Sequence, residues 1–149
     1  MRVVVALGGN AIARRGQAFT VEEQRANIRT ACDPLLDAAE NHELVITHGI
    51  GPQVGMLALR HGPVGSQDMP LDVLGAETQG MIGYLIESEL RNALVSRHED
   101  QRMITTVLTL VEVSLADPAF EHPTKFVGPV YLPEEARALA ADRHWPLSL

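Results

Sequence analysis

The sequence is short of several things, and each shortage narrows what the chain can do. It has one cysteine, Cys32, among 149 residues. No internal disulfide can form, and no second thiol is available to a metal site. The helical spacing around Cys32 puts it on an apolar side, so buried packing and a cytoplasmic setting are expected. Basic residues are outnumbered, and the net charge is -7. That balance argues against nucleic acid and against an anionic membrane surface as partners. It leaves room for a small anionic ligand, which backbone amides and a lysine can hold locally.

Long apolar runs are missing too. No stretch approaches the ~20 residues that a membrane span needs. Val3 to Leu7 is too short for a secretory core, and Gly8-Gly9-Asn10 interrupts it. No repeat, low-complexity tract or interdomain linker stands out. Neither a Walker A loop nor a GxGxxG fingerprint is present, and the histidines show no HExxH-like metal spacing, so no metal ligand set is named.

What is present suits one globular domain, with 46% hydrophobic and 21% charged residues. Val3–Leu7 is a continuous apolar run, the pattern of a strand buried on both faces of a parallel sheet, and the β-branched run Leu44–Thr47 reads as a second strand. Thr20 and Glu23 form a capping-box pattern ahead of a helix bearing Val21, Ile28, Ala31, Cys32, Leu35 and Ala39. Pro34 falls inside that helix and is expected to kink it or end it early. Pro52 suits the first position of a short helix, and residues 61–70 read as loop. Asp72 is placed to cap a long helix with a broad stripe from Leu74 to Leu94. Its small residues Gly75, Ala76, Gly80 and Gly83 point to close packing against a neighbour, because glycine is otherwise unfavourable there. Ile104–Val113 is expected to be a third long strand, residues 117–130 a proline-rich loop, and Pro133 the start of a last helix. The order is that of an α/β fold with right-handed crossovers.

Two glycine-rich segments then stand at the C-terminal ends of two parallel strands, the edge where ligands bind in open α/β sheets. They are Gly8-Gly9-Asn10 and Gly49-Ile50-Gly51. Glycine permits close approach of backbone to phosphate or carboxylate oxygens. Spacing alone supports two tight turns equally well. Lys125, in Pro123-Thr-Lys-Phe-Val-Gly-Pro129, is either a point charge for an anion or a solvated surface lysine. His48 beside the glycines reads as a structural hydrogen bond, and Glu77, Glu87 and Glu89 as a solvated helix face.

Taken together, these segments resemble carbamate kinase, of the amino-acid kinase family. The matching stretches are Ala6-Leu-Gly-Gly-Asn-Ala11, Glu43-Leu-Val-Ile-Thr-His-Gly49 with Gly51-Pro-Gln-Val-Gly55, Pro70-Leu-Asp-Val-Leu-Gly-Ala-Glu77 with Gln79-Gly-Met-Ile-Gly-Tyr84, Thr106-Val-Leu-Thr109, Asp117-Pro-Ala-Phe120, and Pro123-Thr-Lys125 with Gly128-Pro129. The resemblance implies a three-layer αβα sandwich with a mainly parallel sheet. It implies that residues 1–149 are the N-terminal, substrate and dimerisation lobe, with 118–149 entering a protruding subdomain and the C-terminal nucleotide lobe absent.

The activity implied is reversible phosphoryl transfer between ATP and carbamate, giving ADP and carbamoyl phosphate, in arginine catabolism. ATP/ADP with Mg2+ is the implied cofactor set, and a homodimer or a partner chain supplying the second lobe is the implied assembly. By the same resemblance Gly8, Gly9 and Asn10 lie against the transferring phosphoryl group. Gly49, Ile50 and Gly51 hold the carbamoyl end, and Lys125 approaches the substrate; Lys125, Gly9 and Asn10 are the catalytic candidates. The loop departs from the family pattern at Ile50, where the family carries asparagine, and Leu110 stands where it carries glutamine. Two other readings stand beside the enzyme: a non-catalytic kinase remnant, and a small-anion-binding or dimerising module.

Overall fold

In the computed structural model, residues 1–14, 16–60, 69–124 and 131–143 are described. Lys125, Gly128, Pro129, Trp145 and most of the 61–70 stretch lie outside them. The elements are β1 (Arg2–Leu7), α1 (Gly9–Ile12), α2 (Val21–Ala39), β2 (Glu43–His48), α3 (Gly51–Arg60), α4 (Leu71–Ser96), a 3-10 turn at Pro118–Phe120, and α5 (Pro133–Arg143). They fall into two compact units: Met1–Ile50 with Gln79–Leu108, and Gly51–Thr78 with Thr109–Leu149.

The first unit is built on a parallel pair, β1 beside β2, in register from Arg2 opposite Glu43 to Leu7 opposite His48. A parallel pair needs a crossover, and α2 supplies it. The Thr20 hydroxyl accepts from the Glu23 amide at 3.2 Å. The capping box is only half made, since the Thr20 amide donates to the Ala18 carbonyl instead. Pro34 neither ends nor shortens α2, which runs on to Ala39. An interior proline costs roughly 3 kcal/mol. It is tolerated here because Cys32, Leu35, Leu36 and Ala39 on either side are buried.

The core of this unit lies between the inner sheet face and the two long helices. Leu7, Ile12, Ile28, Cys32, Leu35 and Leu36 pack with Ile82, Leu85, Ile86, Leu90 and Leu94 of α4. Ion pairs fasten α2 to α4. The carboxylate of Glu89 accepts from Arg25 at 2.7 Å and Arg29 at 3.0 Å, and Arg97 reaches Asp33 at 2.8 Å and Asp37 at 2.7 Å. Glu89 is only 2% exposed, which corrects its reading as part of a solvated face. A charge inside the apolar stripe demands partners, and two arginines supply them. Gly83 does have the packing reason expected of it: a methyl group there would overlap the Thr106 side chain, whereas one on Gly80 would meet nothing.

The expected third strand is not formed. Residues 104–113 make no ladder, and the sheet has two strands among the described residues. Ile104 is packed against the core, its carbonyl accepts from Arg91 at 3.1 Å, and the Thr106 hydroxyl donates to Glu87 at 2.6 Å. Side chains thus tie the start of the segment to α4, while its strand-like composition finds no ladder partner. From Val107 to Val113 the apolar side chains are exposed.

In the second unit, α3 buries Gln53, Val54 and Ala58. It begins one residue earlier than expected, at Gly51, which leaves Pro52 within the first turn. Asp72 also lies inside the first turn of α4 rather than before it, and the Pro70 carbonyl accepts from the Val73 and Leu74 amides. α5 starts at Pro133 as expected, with Glu134 and Glu135 in its first turn. The Glu135 carboxylate accepts from the Leu132 amide at 3.2 Å.

Candidate functional site

Register places the two glycine segments. Because Leu7 is opposite His48, Gly8 and Gly49 leave the sheet side by side at the C-terminal ends of adjacent strands. Gly8 is extended, with φ -70° and ψ 166°, and its carbonyl accepts from the Ala11 amide at 2.9 Å. The Gly9 carbonyl accepts from Ala13 at 2.7 Å, so the chain turns at once into the single turn of α1. Gly9 and Asn10 are exposed, and Ile12 at the end of the turn is buried in the core.

Neither Gly8 nor Gly49 has a positive φ, and a Cβ on either would meet no atom within 4 Å. Glycine is therefore required at these two positions neither by backbone angle nor by packing inside the chain. The space in front of both is open, which is the condition for another molecule to approach the backbone closely. In its Nδ1–H tautomer His48 donates to the Gly49 carbonyl at 3.1 Å, the loop-holding hydrogen bond expected of it. Ile50 is half-buried, and its side chain can neither donate nor accept. Gly51 is exposed at the start of α3.

Asn27, which sequence reasoning did not single out, holds the first segment from behind. It is 6% exposed. Its Nδ2 donates to the Ile12 carbonyl at 3.1 Å and to Gln17 Oε1 at 2.8 Å. Those bonds tie both ends of the Ile12–Gln17 return to α2. The signal was present in the sequence, since Asn27 and Gln24 share a helix face with Ile28, Ala31 and Leu35. Polar residues on an apolar face need partners when buried.

The electrostatics near α4 are structural. Burial pushes the Glu89 carboxyl up, and the hydrogen bonds from Arg25 and Arg29 outweigh this and hold it below the usual carboxylate value. Hydrogen bonds from Thr106 and then Arg91 lower Glu87. Burial raises the Cys32 thiol to about 11, which keeps it protonated and unreactive. Among the described residues no group of three His, Cys, Asp or Glu is placed to hold a metal ion. Among them, too, no helix is long and apolar enough to cross a membrane.

The amino acid kinase family model matches residues 1–114. A carbamate kinase from Haemophilus influenzae is 50% identical over 149 residues, which is 99% of this chain and 47% of that protein. One from Rhizobium meliloti is 50% identical over 146 residues, 97% of this chain and 44% of that protein. The solved carbamate kinase from Giardia lamblia bound to citric acid has a TM-score of 0.85 at 35% identity, covering 95% of this chain and 46% of that one. The same organism's enzyme bound to AMP-PNP gives 0.75, again at 35% identity, over 95% and 45%. The chain thus spans about half the length of the relatives it matches. A match over residues 1–114, on a parallel α/β unit of the same fold, means that the chain belongs to the amino acid kinase family.

Proposed function

We propose that this chain is the carbamate-binding half of a carbamate-kinase-type phosphotransferase, which interconverts ATP and carbamate with ADP and carbamoyl phosphate. In the direction of ATP synthesis, the bond between phosphorus and the carbamate oxygen breaks while a terminal ADP oxygen bonds to the same phosphorus. Such a transfer needs positioning and charge neutralisation more than covalent chemistry.

The observation that carries the reading is that Gly8 and Gly49 directly follow the paired strand ends Leu7 and His48, with open space before both. In this reading the Gly8-Gly9-Asn10 backbone lies against the phosphoryl group. The Gly49-Ile50-Gly51 loop holds the carbamoyl end. Lys125, assigned by the resemblance alone, neutralises charge, which makes Lys125, Gly9 and Asn10 the catalytic candidates. Magnesium with the nucleotide would neutralise phosphate charge. The rest of the reading follows the family: a second lobe from a partner chain or a homodimer, a protruding subdomain over residues 118–149, and a cytoplasmic place in arginine breakdown.

The second reading, a small-anion-binding or dimerising remnant without turnover, draws on Ile50, where an apolar side chain replaces a hydrogen-bonding one. Formation of ATP from ADP and carbamoyl phosphate separates the two, with Lys125→Ala as control. Turnover that the control abolishes supports the kinase. Absence of turnover, with or without the rest of a carbamate kinase, supports the remnant.

A further inference from the structure

The return from the first glycine segment is held more firmly than a plain surface loop needs. The Gln17 amide donates to the Arg14 carbonyl at 3.3 Å, and Gly16 has φ +83°. That angle favours glycine, unlike the angles at Gly8 and Gly49, and a Cβ on Gly16 would meet no atom within 4 Å. The Gln17 side chain is held in turn by the buried amide of Asn27. Arg14, at the start of this turn, is exposed. It differs from the other described arginines of the first unit. Arg2, Arg25, Arg29, Arg91, Arg97 and Arg102 each meet a carboxylate at between 2.7 and 3.0 Å. Arg14 meets none among the described residues, in a chain where 19 acidic residues outnumber 12 basic ones.

We propose that Arg14 is a phosphoryl-binding residue, held within reach of the Gly8-Gly9-Asn10 backbone by the turn at Gly16. In the proposed reaction its guanidinium takes the phosphoryl oxygens of carbamoyl phosphate. Chain geometry places it there. The Ala13 amide donates to the Gly9 carbonyl at 2.7 Å. Standard backbone dimensions then put the Arg14 Cα within about 8 Å of that oxygen. An extended arginine side chain spans most of such a distance, and its planar fork of donors matches two phosphate oxygens at once. The chemistry fits as well. Backbone amides bring only partial charge to a dianion, and a guanidinium with no carboxylate of its own brings a full one. The turn costs the chain a left-handed backbone position and a buried amide, and it fixes where Arg14 leaves the main chain. The proposal rests on the proposed function for naming the ligand and for setting its phosphoryl group against Gly8-Gly9-Asn10.

Carbamoyl phosphate and inorganic phosphate are titrated separately into the isotope-labelled 149-residue chain at one ionic strength. Arg14→Gln should weaken both by about tenfold, the worth of one charge-assisted contact. Arg14→Lys keeps the charge and should lose less than about threefold. Arg14 is exposed, so both variants should melt like the parent. Gly16→Ala gives a second readout, because it strains the turn and leaves the guanidinium in place. It should weaken binding by the parent chain and add nothing to the loss in Arg14→Gln. Unchanged affinity in Arg14→Gln overturns the proposal, and the kinase reading then stands if amides at 8–11 and 48–50 still respond. A loss for carbamoyl phosphate alone overturns it by putting Arg14 at the carbamoyl end. An equal effect of Gly16→Ala in both backgrounds also overturns it. Arg14-dependent binding of inorganic phosphate, with no response at 48–50 to carbamoyl phosphate, keeps the phosphoryl-binding arginine and removes the carbamate kinase reading. No binding of either anion by the parent chain overturns both.

Discussion

Replacing Asn27 with alanine tests how the first glycine segment is held. The wild-type amide makes two hydrogen bonds from one nitrogen, to the Ile12 carbonyl and to Gln17. Each contributes about 1 kcal/mol net, and the Ile12 carbonyl left behind adds about 1 kcal/mol of unmet desolvation. The expected loss is therefore about 3 kcal/mol, a large part of the 5–15 kcal/mol typical of a domain. Urea unfolding measures it, with an unchanged slope showing that the fold is kept. Amide exchange gives the location. The Ala11 and Ala13 amides, which close the turn onto Gly8 and Gly9, should exchange much faster, while the β1–β2 ladder changes less. Asn27→Asp sharpens the case, because a carboxylate would face two acceptor oxygens. That variant should gain stability relative to wild type on acidification, when a protonated carboxyl can donate again. A loss below about 0.5 kcal/mol, or exchange that rises equally everywhere, would refute the reasoning.

Other outcomes follow from the same structure. Glu89→Gln should cost about 1–2 kcal/mol in urea unfolding, because charge-assisted hydrogen bonds from Arg25 and Arg29 become neutral ones while both arginines keep contact with solvent. Glu89 is held below its usual value of 4.5, so its contribution is complete above that pH and is lost as the pH falls below it; the stability curves of wild type and Glu89→Gln, apart at neutral pH, should converge there. Gly83→Ala should destabilise by about 1 kcal/mol net, as displacement of Thr106 and loss of its bond to Glu87 outweigh the better helix propensity. Cys32, buried and with its thiol raised to about 11, should react with a thiol reagent only as fast as the protein unfolds. Ile50→Asn should tighten carbamoyl phosphate by about tenfold in calorimetry, the worth of one added hydrogen bond.

Much of the first unit was legible in the sequence because its periods are strong. The β-branched runs ending in glycine gave both strands. Their parallel neighbourhood followed from the intervening helix, and so did the juxtaposition of Gly8 with Gly49. What could not be read was whatever depends on a partner distant in sequence. Residues 104–113 have the composition of a strand, but a strand exists only by its ladder, and none of the described residues provides one. Pro34 obeys its surroundings rather than its propensity, since burial on both sides holds α2 together. Glu89 was read as solvated and Asn27 was not singled out, yet each lies on an apolar face, and position on that face was the better guide than residue type. Ile50 was read as a departure by resemblance alone, and its half-buried place beside Gly49 gives no reason for the choice.

Titration of the isotope-labelled chain with carbamoyl phosphate, followed at each backbone amide, tests the central claim most directly. The account predicts saturable shifts at Gly8–Ala11 and at His48–Ile50, with smaller changes in the strands behind them. No shift at millimolar ligand, or shifts gathered at the other strand ends around Arg2 and Glu43, would contradict it.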